Sequence, residues 1–413
     1  MALLSIAKMK PKPLMPGPTV VSDKPYKFIP PHDNRLWPWL FGKYLPTYLR
    51  KHQGIGSWEL AGREHIEASL KAGHGILVVP NHPRPSDPIS LGLIVGALKQ
   101  NINIMASAHL FFGSKLYSWL LPRIGAFSVY REGLDRESLR TSIDILATAR
   151  RPLVVFAEGV VTRTNDRLIE LQDGTAFIAR TAAKQRAEKV PGGKVVVHPL
   201  AVRYTFKGDL DMGLGRVLDR IELRLGWQTQ RELPLHQRVL KLGEALLGLK
   251  EVEYFGETTA GLVSERLARL LERVLCPLEQ EWLNGRSEGN VVNRVKNLRK
   301  VMLPRLVEGK LTDPERAHLW KCLYDLEIAQ QIFHYPPDYL GTHPTPERLL
   351  ETVARFEEAL GEADPEVVGP VHLKFEFGPA IEVNPVRDKK APSDPLMDQL
   401  RQGLTKMLGL AST

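Results

Sequence analysis

Between residues 75 and 206 the chain alternates short apolar runs with longer amphipathic ones. The apolar runs predict strands over residues 76–79, 103–106, 126–130, 153–156 and 194–204. The amphipathic runs predict helices over 89–100, 136–149 and 174–185, and residues 110–121 read as an apolar, aromatic, helix-like piece. β-rich runs alternating with helical patterns imply α/β layering around a mostly parallel, mixed sheet flanked by helices. In such sheets ligands sit at the C-terminal ends of the strands.

From about residue 230 to 360 the texture changes. Leu262, Leu267, Leu270, Leu271, Val274 and Leu275 recur at helical spacing, with no strand signal. Strand-like text returns over 371–377, followed by a turn at Gly378-Pro379, a short run over 380–383 and an amphipathic helix over 394–408. Residues 1–21 are rich in proline (Pro11, Pro13, Pro16, Pro18) and read as a mobile tail. Residues 35–51 crowd Trp37, Trp39, Phe41, Tyr44 and Tyr48 together and end in Arg50-Lys51. This mixture suits a membrane interface, or an amphipathic segment packed on its own domain.

Composition narrows the class. The 413 residues are 43% hydrophobic and 25% charged, as in an ordinary globular protein with one large domain plus an appendage, or two moderate domains. The net charge of +9 fits either a simply basic soluble protein or attraction to anionic lipid, phosphorylated substrates or nucleic acid. No zinc finger, aromatic RNA-binding signature or helix-turn-helix pattern accompanies it, so nucleic acid ranks last. The longest apolar run, over 89–98, is about half of what spans a bilayer. The first residues lack the basic region of a signal peptide. Cys276 and Cys322 lie far apart and match no metal or disulfide framework, which favours a reducing compartment.

Four short blocks fall at strand ends. Asn81-His82-Pro83-Arg84-Pro85-Ser86-Asp87 follows the first strand. A histidine there can act as a general base once an acceptor fixes one ring nitrogen, and Asp87 is such an acceptor. Asp87 also precedes Pro88, so a helix-capping role fits it equally well. Gly125-Ala126-Phe127-Ser128-Val129-Tyr130-Arg131 delivers Arg131, a planar fork of donors suited to phosphate. Phe156-Ala157-Glu158-Gly159-Val160-Val161-Thr162-Arg163 is a sharp glycine turn carrying Glu158 and Arg163. Val195-Val196-Val197-His198-Pro199-Leu200 reads as a buried strand interrupted by Pro199.

In this order the blocks resemble those of the glycerolipid acyltransferase family, typified by lysophosphatidate acyltransferase: Asn-His-x4-Asp, Gly-x-x-Phe-x-x-Arg, a Phe-Pro-Glu-Gly-Thr-Arg-like turn and a short proline-containing strand. Ala157 stands for the family's Pro, Val160 for its Thr, and Val161 where an Arg is usual. The resemblance implies an O-acyltransferase of the glycerolipid acyltransferase fold. It would move a fatty acyl group from acyl-CoA or acyl-carrier protein to a hydroxyl of a (lyso)glycerophospholipid-type acceptor. His82 and Asp87 would be catalytic, and Asn81, Arg131, Glu158, Gly159, Arg163 and Pro199 would bind substrate. No metal and no cofactor beyond the acyl donor is implied. The implied partners are the donor thioester, a phosphorylated lipid and the inner face of the membrane, with the protein cytoplasmic and peripheral there. In this family a strand like 371–383 usually follows the fourth block closely. The expected organisation is therefore an acyltransferase domain over 22–229 and 361–413, interrupted by an all-helical insertion over 230–360.

Three other functions remain open. The acceptor is an amino-acid lipid or glycan lipid. Gly285-Arg286-Ser287-Glu288-Gly289 is the nucleophile elbow of a serine hydrolase, which requires a strand before it and a helix after it. Or the chain is an inactive membrane-associated binding protein.

Overall fold

The computed structural model describes residues 21–112, 115–336, 339–341, 344–362, 365–387, 390–391 and 393–410. Apart from Val21, the expected tail over 1–21 lies outside them. The described residues form two compact units. One is an α/β unit of Tyr26–Leu242, Pro336–Val353 and Glu366–Thr413. The other is a helical unit built on Gly243–Tyr335 and Ala354–Pro365.

In chain order the α/β unit opens with α1 (Leu36–Gln53), β1 (Ile55–Ala61), α2 (Arg63–Lys71) and β2 (Gly75–Pro80). Next come α3 (Asp87–Ser90), α4 (Gly92–Leu98), β3 (Asn103–Ser107), α5 (Lys115–Arg123), β4 (Ala126–Val129) and α6 (Arg136–Thr148). β5 (Leu153–Val154), α7 (Gly174–Lys189), β6 (Val195–Phe206) and α8 (Leu210–Arg224) follow. After the helices α9 (Leu235–Phe255) to α13 (Pro346–Ala359), the chain returns with β7 (Val371–Phe377), β8 (Ile381–Glu382) and α14 (Pro395–Leu408).

The eight strands make one sheet in the order β1-β7-β6-β2-β5-β3-β4, with β8 also on β6. Its pairings are parallel except those of β6 with β7 and β8. The late strand β7 thus lies inside the sheet, between β1 and β6.

Side chains alternate across this sheet as the two-residue period of a strand requires. Leu77, Val79, Val195 and Val197 point to one face and pack on α6, α7 and α14 through Ile145, Leu146, Ile178, Leu400 and Leu404. Ile76, Val78, Val196 and Val202 point to the other and pack on α1, α2 and α4 through Leu45, Leu49, Ile66, Leu93 and Ile94. Each such side chain contributes roughly 1.5–3 kcal/mol by leaving water. Burial on both faces explains why these strands are unbroken apolar text in the sequence.

Three expectations need correction. The helix over 89–100 is two pieces, α3 and α4, meeting at Leu91. The piece over 110–121 is a 3₁₀ turn (Ala108–Phe111) followed by α5, and residues 113–114 lie outside the described residues. Pro199 does not interrupt its strand, because β6 runs unbroken from Val195 to Phe206. The Pro199 carbonyl accepts from Gly378 N–H at 2.9 Å. Its nitrogen therefore faces the same side, where the antiparallel neighbour changes from β8 to β7 and no ladder donor is needed. His198 completes this junction. Its Nδ1–H donates to the Gly378 carbonyl (2.9 Å) and its Nε2 accepts from the Ser69 hydroxyl (2.9 Å). Burial pushes the His198 pKa down, which keeps this imidazole neutral.

In the helical unit, α10 (Val263–Leu283), α11 (Val291–Glu308) and α12 (Asp313–Phe333) share a core of Leu270, Leu275, Leu298, Met302, Leu323 and Leu326, against which Val21 also packs. The Gly285–Gly289 stretch is the connection between α10 and α11. A helix precedes it where a nucleophile elbow needs a strand. No helix among the described residues is long and apolar enough to cross a membrane.

Candidate active site

β2 ends at Pro80, while β6 continues past it with backbone groups still to satisfy. Asn81 takes the place of a further strand residue. Its side-chain amide donates to Val202 O (3.0 Å) and accepts from Val202 N–H (2.7 Å). Asn165 repeats the pattern two residues along, donating to Tyr204 O and accepting from Tyr204 N–H, both at 2.7 Å. These two amides close the edge of β6 and fix where the chain leaves the sheet.

The next residue is His82. Its Nδ1 lies 2.8 Å from Asp87 Oδ2. A carboxylate can only accept there, so Nδ1 carries the proton and Nε2 presents a lone pair. Nε2 makes no hydrogen bond among the described residues. The ring stacks on Phe156 with centroids 4.0 Å apart. Asp87 is fully buried and accepts two further hydrogen bonds, from Arg84 N–H to Oδ2 (2.9 Å) and from the Tyr204 hydroxyl to Oδ1 (2.6 Å). None of these donors is a following helix N–H, so the carboxylate does not cap α3. Burial and the Asp87 charge hold the Tyr204 phenol far above its ordinary pKa, so it remains a donor. The Arg84 guanidinium covers the Tyr204 ring at 4.2 Å.

The turn after β5 holds the histidine from behind. Glu158 accepts from His82 N–H with Oε1 (2.8 Å) and from Ile169 N–H with Oε2 (3.1 Å). It is fully buried, and burial raises its pKa to about 7 against the lowering effect of those two hydrogen bonds. Thr162 gives both its N–H (2.8 Å) and its hydroxyl (3.2 Å) to the His82 carbonyl. His82 is therefore fixed at its N–H, its carbonyl and its Nδ1. Gly159 turns the chain at φ 71°, in the left-handed region that glycine tolerates without strain. Arg131, just past β4, donates to the Gly159 carbonyl. Arg163 follows Thr162 with φ 58°, a conformation that costs a non-glycine residue about 1 kcal/mol.

The residues expected at the site thus divide. His82, Asp87, Arg131, Gly159 and Arg163 converge at the C-terminal ends of β2, β4 and β5, with Arg131, Gly159 and Arg163 half-buried. Asn81 and Glu158, expected on substrate, give their polar atoms to the protein's own backbone and act as positioning residues. Pro199 lies within the sheet, its ring directed at Gly378 and at Gly403 of α14. Tyr204, Asn165 and Thr162 were not anticipated. In the sequence they are an ordinary strand tyrosine and two loop polars, and only the fold brings them to the His82 loop.

Residues 59–203, from within β1 to within β6, match the acyltransferase family model. The chain is also similar to a 1-acyl-sn-glycerol-3-phosphate acyltransferase of Streptococcus pneumoniae, with 25% identity over 182 residues. That alignment covers 43% of this chain and 64% of the relative, under two thirds of the relative's length.

Proposed function

We propose that this chain, a member of the glycerolipid acyltransferase family, moves a fatty acyl group from a thioester donor to a hydroxyl of a (lyso)glycerophospholipid-type acceptor. The observation that carries the reading is the His82–Asp87 pair, with Nδ1 committed to the buried carboxylate and Nε2 open. Nε2 takes the proton of the acceptor hydroxyl. The oxygen attacks the thioester carbonyl, the C–S bond breaks, and the departing thiolate takes the proton from the imidazolium. Asp87 balances the charge that the ring carries in between, and no acyl-enzyme forms. Acyl-CoA and acyl-carrier protein both fit as donors.

Arg131 and Arg163 offer guanidinium groups for the acceptor's phosphate. Their half-buried positions beside the Gly159 turn support that role. Val160 and Val161 favour a second reading, an amino-acid lipid or glycan lipid as acceptor, because apolar side chains stand where the family carries Thr and Arg.

The acceptor is a lipid, so the protein works at a membrane surface, peripherally on its inner face. An exposed aromatic surface supports this. Trp37 of α1 meets Trp119 of α5 edge to face, with centroids 4.6 Å apart. Around them Leu36, Trp39, Tyr44, Leu116 and Tyr117 are exposed. Lys43 lies over Trp39 and Arg123 over Trp119, at 3.8 and 4.2 Å. Aromatic rings under cations suit an anionic headgroup layer. The helical stretch between β6 and β7 is then an insertion into the acyltransferase domain.

The test incubates the protein with labelled acyl-CoA or acyl-carrier protein, lysophosphatidate and a total polar lipid extract. An acylated lysophosphatidate supports the reading. An acylated amino-acid or glycan lipid moves the assignment to the second reading, and vesicle binding without transfer to any acceptor overturns both.

A further inference from the structure

In the helical unit, two helices bring three ligand-type atoms to one point. His318 and Cys322 stand one turn apart on α12 and project from the same face. Glu281 comes from the last turn of α10. His318 Nε2 lies 2.8 Å from Glu281 Oε1 and 3.6 Å from Cys322 Sγ, and all three atoms fall within 4.8 Å of one another. We propose that Glu281, His318 and Cys322 form a binding site for a zinc-class divalent metal ion, tying the end of α10 to α12.

Two observations carry this. First, the spacing fits. Tetrahedral zinc with Zn–S about 2.3 Å and Zn–N about 2.0–2.1 Å separates sulfur from nitrogen by roughly 3.5 Å, against the 3.6 Å found. The carboxylate sits closer to the imidazole than a tetrahedral edge, but it lies on an exposed rim and can swing aside. Second, hydrogen bonding uses the cluster poorly. One ring nitrogen faces both a carboxylate and a thiol, and a single N–H serves only one of them. A cation at the shared point uses a lone pair from each.

The donor set of thiolate, imidazole and carboxylate suits zinc and leaves a fourth position open to solvent. Cys322 is buried; cysteine ligates as the thiolate, so metal binding releases its proton and weakens as pH falls. Cysteine counting along the chain misses this cluster, because Glu281 is 37 residues from His318 and joins it only through helix packing.

The test uses the full-length protein freed of metal by a chelator. Zinc is titrated by calorimetry, and cobalt(II) by absorbance. One zinc per chain is expected, together with a thiolate-to-cobalt charge-transfer band that Cys322→Ser abolishes. His318→Ala, at a half-exposed side chain outside the core, should weaken zinc by roughly tenfold or more, the scale at which even supporting residues of metal sites act. Absence of the charge-transfer band in the unaltered protein overturns the proposal. So does zinc binding that both variants leave unchanged.

Discussion

The Tyr204 hydroxyl, from β6, donates to the buried Asp87 Oδ1 at 2.6 Å, on the opposite carboxylate oxygen from the one that holds His82. The carboxylate therefore has a fixed plane before any substrate arrives. Tyr204→Phe removes the donor and leaves a buried acceptor unmet, a loss of about 1–3 kcal/mol in stability. In acyl transfer the same change should lower kcat and leave the acceptor KM unaltered, because Tyr204 acts through Asp87. A variant that loses stability yet keeps its full kcat would show that Tyr204 serves the fold alone.

Glu158 makes the fold pH-dependent in a definite direction. Its folded pKa is raised to about 7, above its ordinary 4.5. The folded state thus holds the proton more tightly than the unfolded state. The stability this adds is fully present below the unfolded pKa and is lost as pH rises through about 7, by at most about 1.4 kcal/mol per pH unit. Glu158→Gln cannot titrate. Urea unfolding should therefore show the unaltered protein losing ground to the variant between about pH 5 and pH 7, and parallel profiles would contradict the assignment.

Arg131 is the phosphate-binding residue of the proposal. Arg131→Ala should raise the KM for a phosphorylated acceptor roughly tenfold or more, the scale of one charged hydrogen bond, and leave the KM for the acyl donor unchanged. A uniform fall in kcat for phosphorylated and unphosphorylated acceptors would instead assign Arg131 to holding the Gly159 turn.

The aromatic surface of α1 and α5 should govern membrane binding. Trp39→Ala combined with Trp119→Ala should weaken partitioning to anionic vesicles by about tenfold or more per ring, given about 1.5–3 kcal/mol for each large side chain withdrawn from water. Sedimentation with vesicles measures this. Unchanged partitioning would move the membrane face elsewhere.

How legible all this was in the sequence depended on what each signal encodes. β2 and β6 were readable because burial on both faces leaves nearly continuous apolar text, and β3 and β4 as short apolar runs. β1 was missed because only Ile55 is fully buried and its middle is exposed, so no pattern marks it. Pro199 looked like a break because the sequence does not reveal which side of a strand lacks a partner. The motif blocks do fall at the strand ends, but the sequence does not reveal which of their side chains turn to the protein's own backbone. Asn81 and Glu158 sit at those ends and turn inward to the backbone of Val202, His82 and Ile169. Tyr204 and Asn165 carry no local signal, since their partners are 117 and 39 residues away.

The central claim is that His82 Nε2 removes the acceptor's proton. It is tested most directly by assaying purified His82→Ala for acyl transfer under saturating donor and acceptor. Loss of a general base should lower kcat by about 10²–10⁴-fold, with the fold intact by circular dichroism and acceptor binding retained. Turnover near that of the unaltered protein would contradict the account.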